Sequence, residues 1–392
     1  MEACTPTVNT GLRGVTVAST RISHVDGSAG KLIYRGFPVV SLAREATYEE
    51  VAHLLVFERL PDANRLSDFR RALHRARCLP ERIAAAIQAL PPASAPMDVL
   101  QAAVAMMATC DPSPADQTLD GARERAVRLI GQLGTVVAAW HRIRQGRNPV
   151  DPDPDLGHAA NFLYMLSGQR PDPEVARFFD VALVLHAEHS FNASTFSARQ
   201  VASTRAHMYA AVSAAVGSLS GELHGGANVR VMEMLKAIGD PERVEAYVNR
   251  VLDEGQKIMG LGHAVYKVDD PRAHILAPMA EAMGRRSGEP HWYAMSRELE
   301  EKGKAAFKRR KGIDIFVNVD FYSASLFYGM AIPVDLFTPV FAVSRVAGWT
   351  AHIIEEAFAL AAPKPSLYRP GAEYVGDYCG PDECAFVPMD AR

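Results

Sequence analysis

Near the start of the chain apolar and polar residues alternate: Val15 and Val17 stand between polar neighbours, the period-2 pattern of a strand. The turn cluster Asp26-Gly27-Ser28-Ala29-Gly30 then leads into Lys31-Leu32-Ile33-Tyr34-Arg35-Gly36, so residues 14–36 read as a small hairpin. From there the pattern is helical. Thr47-Tyr48-Glu49-Glu50 has the spacing of a capping box, with Thr47 as N-cap and Glu50 at the third helical position. It opens Val51-Ala52-His53-Leu54-Leu55, and Pro61 closes that helix. Further helices are predicted over 65–78, 81–90, 96–109, 119–145, 156–167, 173–189, 193–219, 229–237, 241–257, 272–284, 291–309, 321–330, 336–345 and 347–361. Leu, Ala, Met and Arg dominate these runs, and all are good helix formers. The helical share is far above the usual third or so. The predicted fold class is therefore all-α with a small N-terminal β-hairpin. There is no internal repeat, and Asp151-Pro152-Asp153-Pro154-Asp155 reads as a stiff acidic spacer.

Length changes this picture in one respect: 392 residues exceed what one hydrophobic core usually serves, so two domains are expected. With 48 % hydrophobic and 22 % charged residues, the composition is that of a soluble globular protein. A net charge of −3 gives no global field for nucleic acid or an anionic membrane. The arginines between Arg59 and Arg82 alternate with apolar residues at helical spacing and read as a solvated helix face. No apolar run reaches the roughly 18 residues that span a bilayer, and the N-terminus lacks a basic segment followed by an apolar one. Cys4, Cys78, Cys110, Cys379 and Cys384 show no metal-knuckle or redox spacing, so reduced thiols in a cytoplasmic protein are expected.

Against the helical background a few places carry chemistry. Gly221-Glu222-Leu223-His224-Gly225-Gly226-Ala227-Asn228 puts a histidine on a glycine corner between two helices, where another molecule can approach the backbone closely. The plainer alternative is a helix end with a satisfied surface histidine. Gly260-Leu261-Gly262-His263-Ala264-Val265-Tyr266-Lys267, followed by Asp270-Pro271-Arg272, is a second such corner with cations behind it, suited to phosphates or carboxylates; a simple turn is equally compatible. His186-Ala187-Glu188-His189 places two histidines three apart, on one face if helical, and a metal pair is conceivable. The His-Glu-x-x-His spacing is absent. Asp320, within Asn318-Val319-Asp320-Phe321-Tyr322-Ser323, follows an apolar run. Desolvation there makes a carboxylate a stronger base, although an N-cap role is also compatible. Arg345 and Arg369 are isolated arginines, costly in apolar runs unless they meet an anion. Several arginines suit a di- or tricarboxylate; a base with hydrogen-bonding histidines suits carbanion chemistry beside a carbonyl.

In this order the chain resembles the citrate synthase family in its shorter bacterial form, from about Gly11 to Gly376. Carrying the resemblance are Leu32-Ile33-Tyr34-Arg35-Gly36, Leu185-His186-Ala187-Glu188-His189 with Asn192-Ala193-Ser194-Thr195, and Leu223-His224-Gly225-Gly226-Ala227-Asn228. Gly262-His263-Ala264-Val265-Tyr266, Asn318-Val319-Asp320-Phe321-Tyr322-Ser323, Ser344-Arg345, Gly348-Trp349-Thr350-Ala351-His352 and Arg369-Pro370 continue it. The resemblance implies a homodimer with a large domain (1–221 and 327–392) and a small mobile one (222–326) that closes on oxaloacetate. It implies Asp320 as the base on acetyl-CoA, His224 as donor to the thioester oxygen and His263 as polariser of the oxaloacetate ketone. His189, Arg272 and Arg345 would hold the carboxylates, with Arg369 reaching the partner's site. The backbone of Met259, Gly260, Leu261 and Gly262 would line the adenine site, and Lys267, with the run Lys308-Arg309-Arg310-Lys311, would meet CoA phosphates. No metal or cofactor is implied, acyl-CoA being a substrate.

Glu222, Val229 and Ala324 depart from the family pattern; Ala324, where glycine is usual, resembles some 2-methylcitrate synthases, which use propionyl-CoA. The expected reaction is condensation of acetyl-CoA with oxaloacetate to citrate and CoA. Propionyl-CoA as donor is the alternative, and a non-catalytic scaffold binding metal through His186 and His189 a distant one.

Overall fold

The computed structural model describes residues 8–12, 14–375 and 384–392. β1 (Ser23–Asp26) pairs antiparallel with β2 (Lys31–Tyr34), and β2 with a short β3 (Phe37–Pro38). Asp26 closes the hairpin turn by accepting from the N–H groups of Ser28 and Ala29, both at 3.0 Å. The third strand was not expected, because its proline belongs to no interior strand; it sits at the sheet edge.

Sixteen α-helices follow among the described residues: α1 (Val39–Glu45), α2 (Tyr48–Phe57), α3 (Ala63–Arg77), α4 (Glu81–Gln88), α5 (Pro96–Met107), α6 (Leu119–Ile143), α7 (His158–Ser167) and α8 (Pro173–His186). Then come α9 (Ala193–Ser203), α10 (Met208–Ser220), α11 (Ala227–Ile238), α12 (Val244–Asp253), α13 (Pro271–Ser287), α14 (His291–Lys311), α15 (Val319–Gly329) and α16 (Phe337–Ala357). The capping box at α2 forms: Thr47 N–H donates to Glu50 Oε2 at 2.8 Å, and Thr47 Oγ1 accepts from Glu50 N–H at 3.4 Å.

No predicted run covered α1, and α12 is shorter than the predicted 241–257; three further boundaries differ from the sequence reading in ways that matter to the site or the core. The run 193–219 is two helices, broken at Arg205 with φ +64°, and His207 caps the second through Nδ1. No glycine or proline announces that break. Conversely, 336–345 and 347–361 are one continuous helix, because nothing at Val346 interrupts the hydrogen-bond ladder. Third, α8 ends at His186, three residues early, so His186 and His189 do not share a helix face.

Every residue from Phe337 to Glu356 is buried, so α16 is the central post of the core. Around it stand α2, α5, α6, α8, α9 and α10. Its polar residues, Arg345, His352, Glu355 and Glu356 among them, are buried with the rest. Even so, no helix among the described residues is long and apolar enough to cross a membrane. Helices α11 to α15 pack chiefly on one another. Cys78 and Cys110 are free thiols, but Cys384 is disulfide-bonded, which corrects the expectation of five reduced thiols.

Candidate active site

His224 lies on the turn joining α10 to α11. Its Nε2 is 3.1 Å from the backbone nitrogen of Ser194 and 2.8 Å from Ser194 Oγ. A backbone N–H only donates, so Nε2 is the bare nitrogen and Nδ1 carries the proton. Burial, then the charge of Arg345, pushes the His224 pKa down to about 4, so the ring is neutral at pH 7. Ser194 is held in the first turn of α9 by the N-cap Asn192, which accepts from Thr195 N–H at 3.1 Å, and by Trp349, which donates to Ser194 Oγ at 3.1 Å. The corner needs its glycine: a Cβ on Gly225 would lie 2.0 Å from the Leu219 carbonyl oxygen.

His263 lies on the second glycine corner. Its Nδ1 accepts from the N–H groups of Val265 and Tyr266, at 3.0 and 3.1 Å, which leaves the proton on Nε2. Burial and then Arg272 lower its pKa to about 4. The His263 ring stands 5.4 Å from that of His189, edge to face. His189 is bridged through Nε2 to Tyr266 Oη at 3.2 Å. Its own pKa is held well below the usual range by burial, Arg272 and His263.

The two buried arginines differ in how they are matched. Arg272, in the first turn of α13, is gripped by the N-cap Asp270 through Nε at 2.9 Å and Nη2 at 2.7 Å. Arg345, 1 % exposed, donates only from Nε, to the His186 carbonyl at 2.6 Å, and lies over the Phe341 ring at 4.7 Å. It has no ion pair among the described residues. Burial drags its pKa down to about 10, with Glu188 opposing. A buried cation short of a counter-ion is costly, by several kcal/mol on the usual scale.

Asp320 occupies the second position of α15, below the cap formed by Asn318, which accepts from Asp320 N–H at 3.1 Å. A helix N-terminus stabilises a carboxylate. Here burial wins, against Arg272 and Arg345, and raises the pKa to about 6. The two guanidiniums tie the set together: Arg345 acts on His224, His189 and Asp320, and Arg272 on His263, His189 and Asp320.

Other expected residues stand apart from this group or serve through backbone. Gly260 and Gly262 adopt φ of +80° and +94°. They pair with the strand-like segment before α15: Asn318 N–H donates to the Gly260 carbonyl at 3.0 Å, and Gly262 N–H to the Phe316 carbonyl at 2.7 Å. A Cβ on Gly260 would lie 2.6 Å from the Phe321 ring, so that glycine sets where Asp320 sits. Met259 and Leu261 are half-buried beside it, Leu261 pressed on Gly303. Lys267 is exposed, its N–H donating to the Gly27 carbonyl at 2.8 Å. Lys308 and Arg310 are paired with Asp314 and Asp253. Arg369 is exposed and bonds to no described residue.

His186 and His189 do not form a metal pair. His186 bonds Ala182 through Nδ1 at 2.7 Å and packs on Phe341, whereas His189 faces Tyr266. No cluster of three or more ligating residues occurs among the described residues. Sequence reasoning passed over Ser194, Tyr266, Asp270 and Trp349. Their only signal was adjacency to the motif histidines and arginine, which does not show direction. A cavity of about 900 Å³ between α3 and α6, lined by His53, Phe57, Arg123 and Gln132 among others, contains none of the expected site residues.

A family model described as citrate synthase, C-terminal domain, matches residues 11–371. The citrate synthase of Synechocystis is 44 % identical over 97 % of this chain and 93 % of its own length. The 2-methylcitrate synthase 1 of Corynebacterium glutamicum is 39 % identical over 98 % of each. The solved citrate synthase of the archaeon Thermoplasma acidophilum, in a ternary complex with carboxymethyl coenzyme A and oxaloacetate, superposes with a TM-score of 0.91 at 32 % identity, covering 99 % of this chain and 100 % of that one. A match of this extent in sequence and in fold, over the same corners that hold His224, His263 and Asp320, means that the chain belongs to the citrate synthase family.

Proposed function

We propose that this enzyme is an acyltransferase that condenses acetyl-CoA with oxaloacetate and hydrolyses the resulting citryl-CoA to citrate and CoA. The observation that carries the reading is a raised carboxylate, Asp320, under the same two buried guanidiniums as two neutral imidazoles whose bonded nitrogens leave a proton on the other side of each ring. In this mechanism Asp320 takes a proton from the acetyl methyl group. Its pKa of about 6 makes it a roughly hundredfold stronger base than an ordinary aspartate yet leaves it ionised at pH 7. His224 Nδ1–H donates to the thioester oxygen as negative charge gathers there. The enolate carbon attacks the oxaloacetate ketone, polarised by His263 Nε2–H. Neutral donors suit this task, since an imidazolium would hand over its proton before the carbon–carbon bond forms. Water then attacks the citryl thioester carbonyl and CoA leaves as the thiol.

Arg345, Arg272 and His189 hold the oxaloacetate carboxylates; Arg345, short of a counter-ion, gains most from a dianion. Arg369 completes the pocket of the partner subunit in a homodimer, which accounts for its exposure within one chain. The unit 222–326 closes over the substrates and brings the 259–262 backbone and Lys267 to CoA. Leu223, beside His224 and 98 % exposed, supports such closure, because a large apolar side chain gains by being covered. The complex described for the Thermoplasma acidophilum relative supports both substrates.

Propionyl-CoA is the second reading, favoured by the 2-methylcitrate synthase relative and by Ala324, which is fully buried inside α15. One methylene changes transition-state binding by about 1–3 kcal/mol. Comparing kcat/KM for the two acyl-CoAs with oxaloacetate decides: an advantage of about tenfold or more for propionyl-CoA replaces the first reading, and no CoA release from either overturns both.

A further inference from the structure

Past α16 the chain runs from 361 to 375 without helix or strand, and nearly all of it is exposed. Among the described residues of 363–375, Tyr368 alone makes a hydrogen bond or ring contact. Its N–H donates to Ser203 Oγ at 3.3 Å, its hydroxyl donates to Glu356 Oε2 at 2.8 Å, and its ring meets Phe196 edge-on at 5.7 Å. Phe196, Arg199 and Ser203 lie at i, i+3 and i+7 of α9, on one face. Glu356 is no loose acceptor. Arg199, 3 % exposed, grips it through Nη2 at 2.6 Å and Nε at 2.9 Å. The same guanidinium holds Glu355 at 2.8 Å and His352 Nδ1 at 3.0 Å, and lies over the Phe191 ring at 4.6 Å. Because Nδ1 of His352 accepts from Arg199, its Nε2–H donates, to Glu188 Oε1 at 3.0 Å. Glu188 is the residue before His189.

We propose that Tyr368, Glu356 and Arg199 form an anchor that positions Arg369 for the dicarboxylate pocket of the partner subunit, an inference that rests on the shared-site reading above. The next residue after the single fixed point of an exposed tail is a cation with no partner among the described residues. An arginine on a free tail must lose its freedom each time it binds a carboxylate; one held a residue away from a buried ion-pair cluster has lost most of it beforehand. Tyr368 is thus a positioning residue that never touches substrate. The cluster also reaches Glu188 through His352, so the anchor is continuous with the buried corner that carries His189.

Steady-state kinetics of the intact enzyme test this with Tyr368→Phe, Arg369→Ala and the double variant. Tyr368→Phe deletes one hydroxyl and leaves the ring on Phe196. It should raise KM for oxaloacetate by about three- to tenfold, with kcat and KM for acetyl-CoA within about twofold of wild type and the melting temperature unchanged. In the Arg369→Ala background the same change should do nothing further, because Tyr368 acts through Arg369. A Tyr368→Phe enzyme with wild-type KM for oxaloacetate, while Arg369→Ala is impaired, overturns the anchor and spares the shared site. Effects that add in the double variant, or a loss of kcat and melting temperature together, make Tyr368 merely structural and also overturn it. If Arg369→Ala itself leaves that KM unchanged, the shared site falls and the anchor with it.

Discussion

Asp320→Asn should make the protein more stable while stopping turnover. The folded enzyme holds this carboxylate at a pKa of about 6 against 3.8 when free, a rise of about 2. Each unit corresponds to about 1.4 kcal/mol, so keeping Asp320 ionised costs up to about 3 kcal/mol at neutral pH. Its side chain still meets some solvent, which lowers the expected gain to about 1–3 kcal/mol. The pH dependence gives the sharper test. Because the folded pKa lies above the unfolded one, the penalty is complete above pH 6, shrinks between 6 and 3.8, and vanishes below. Asparagine has nearly the same shape and carries no penalty. Thermal unfolding of both ligand-free proteins from pH 7.5 down to pH 4 should therefore show a higher melting temperature for the variant at pH 7.5 and convergence towards pH 4. A variant no more stable at pH 7.5, or one whose advantage is the same at every pH, would refute the claim that burial makes Asp320 a strengthened base.

For the wild type, kcat/KM should fall as pH drops through about 6, as Asp320 takes up its proton; an acid limb centred near 4 would point to another group. Arg369→Ala should raise KM for oxaloacetate by roughly ten- to hundredfold, the loss of a charge-assisted carboxylate contact. Unfolding and refolding Asp320→Asn and Arg369→Ala subunits together should restore roughly a quarter of wild-type activity, since random pairing makes half the dimers mixed and each mixed dimer has one whole site; no restoration places Arg369 within its own subunit's site. Gly348→Ala should destabilise by about 1–3 kcal/mol or more, because its Cβ would lie 2.3 Å from Glu188 Oε2 and 2.4 Å from the Ala187 carbonyl oxygen. Melting temperature and soluble yield check it, and a neutral outcome would mean that α16 can shift away from the 187–190 corner.

The sequence by itself determined the helices that carry local stop signals, the hairpin, and the residue types of the site. Thr47 with Glu50 and Asp26 before Gly27 act within a few residues, so their geometry follows from spacing alone, whereas the cap of α15 is Asn318 and not Asp320, which lies inside the helix. Two histidines on glycine corners and an aspartate after an apolar run were enough to suggest enolate chemistry, and the order of motifs to suggest the family. Where a boundary depended on packing, spacing misled: α8 ends at His186, with Ala187 and Glu188 lying against Gly348 of α16, and the break at Arg205 has no breaker residue. Only the tertiary structure decided which nitrogen of each histidine keeps its proton, since the answer lies in Ser194 N–H for His224 and in the Val265 and Tyr266 N–H groups for His263. It also decided that Arg272 is matched by Asp270 while Arg345 donates to a backbone carbonyl and has no ion pair among the described residues. Charge and tautomer are properties of the surroundings: the partners of His263 and Arg272 lie two or three residues away, where only the folded turn aims them, whereas His224 is met from α9 and Arg345 from the end of α8, 159 residues away in sequence.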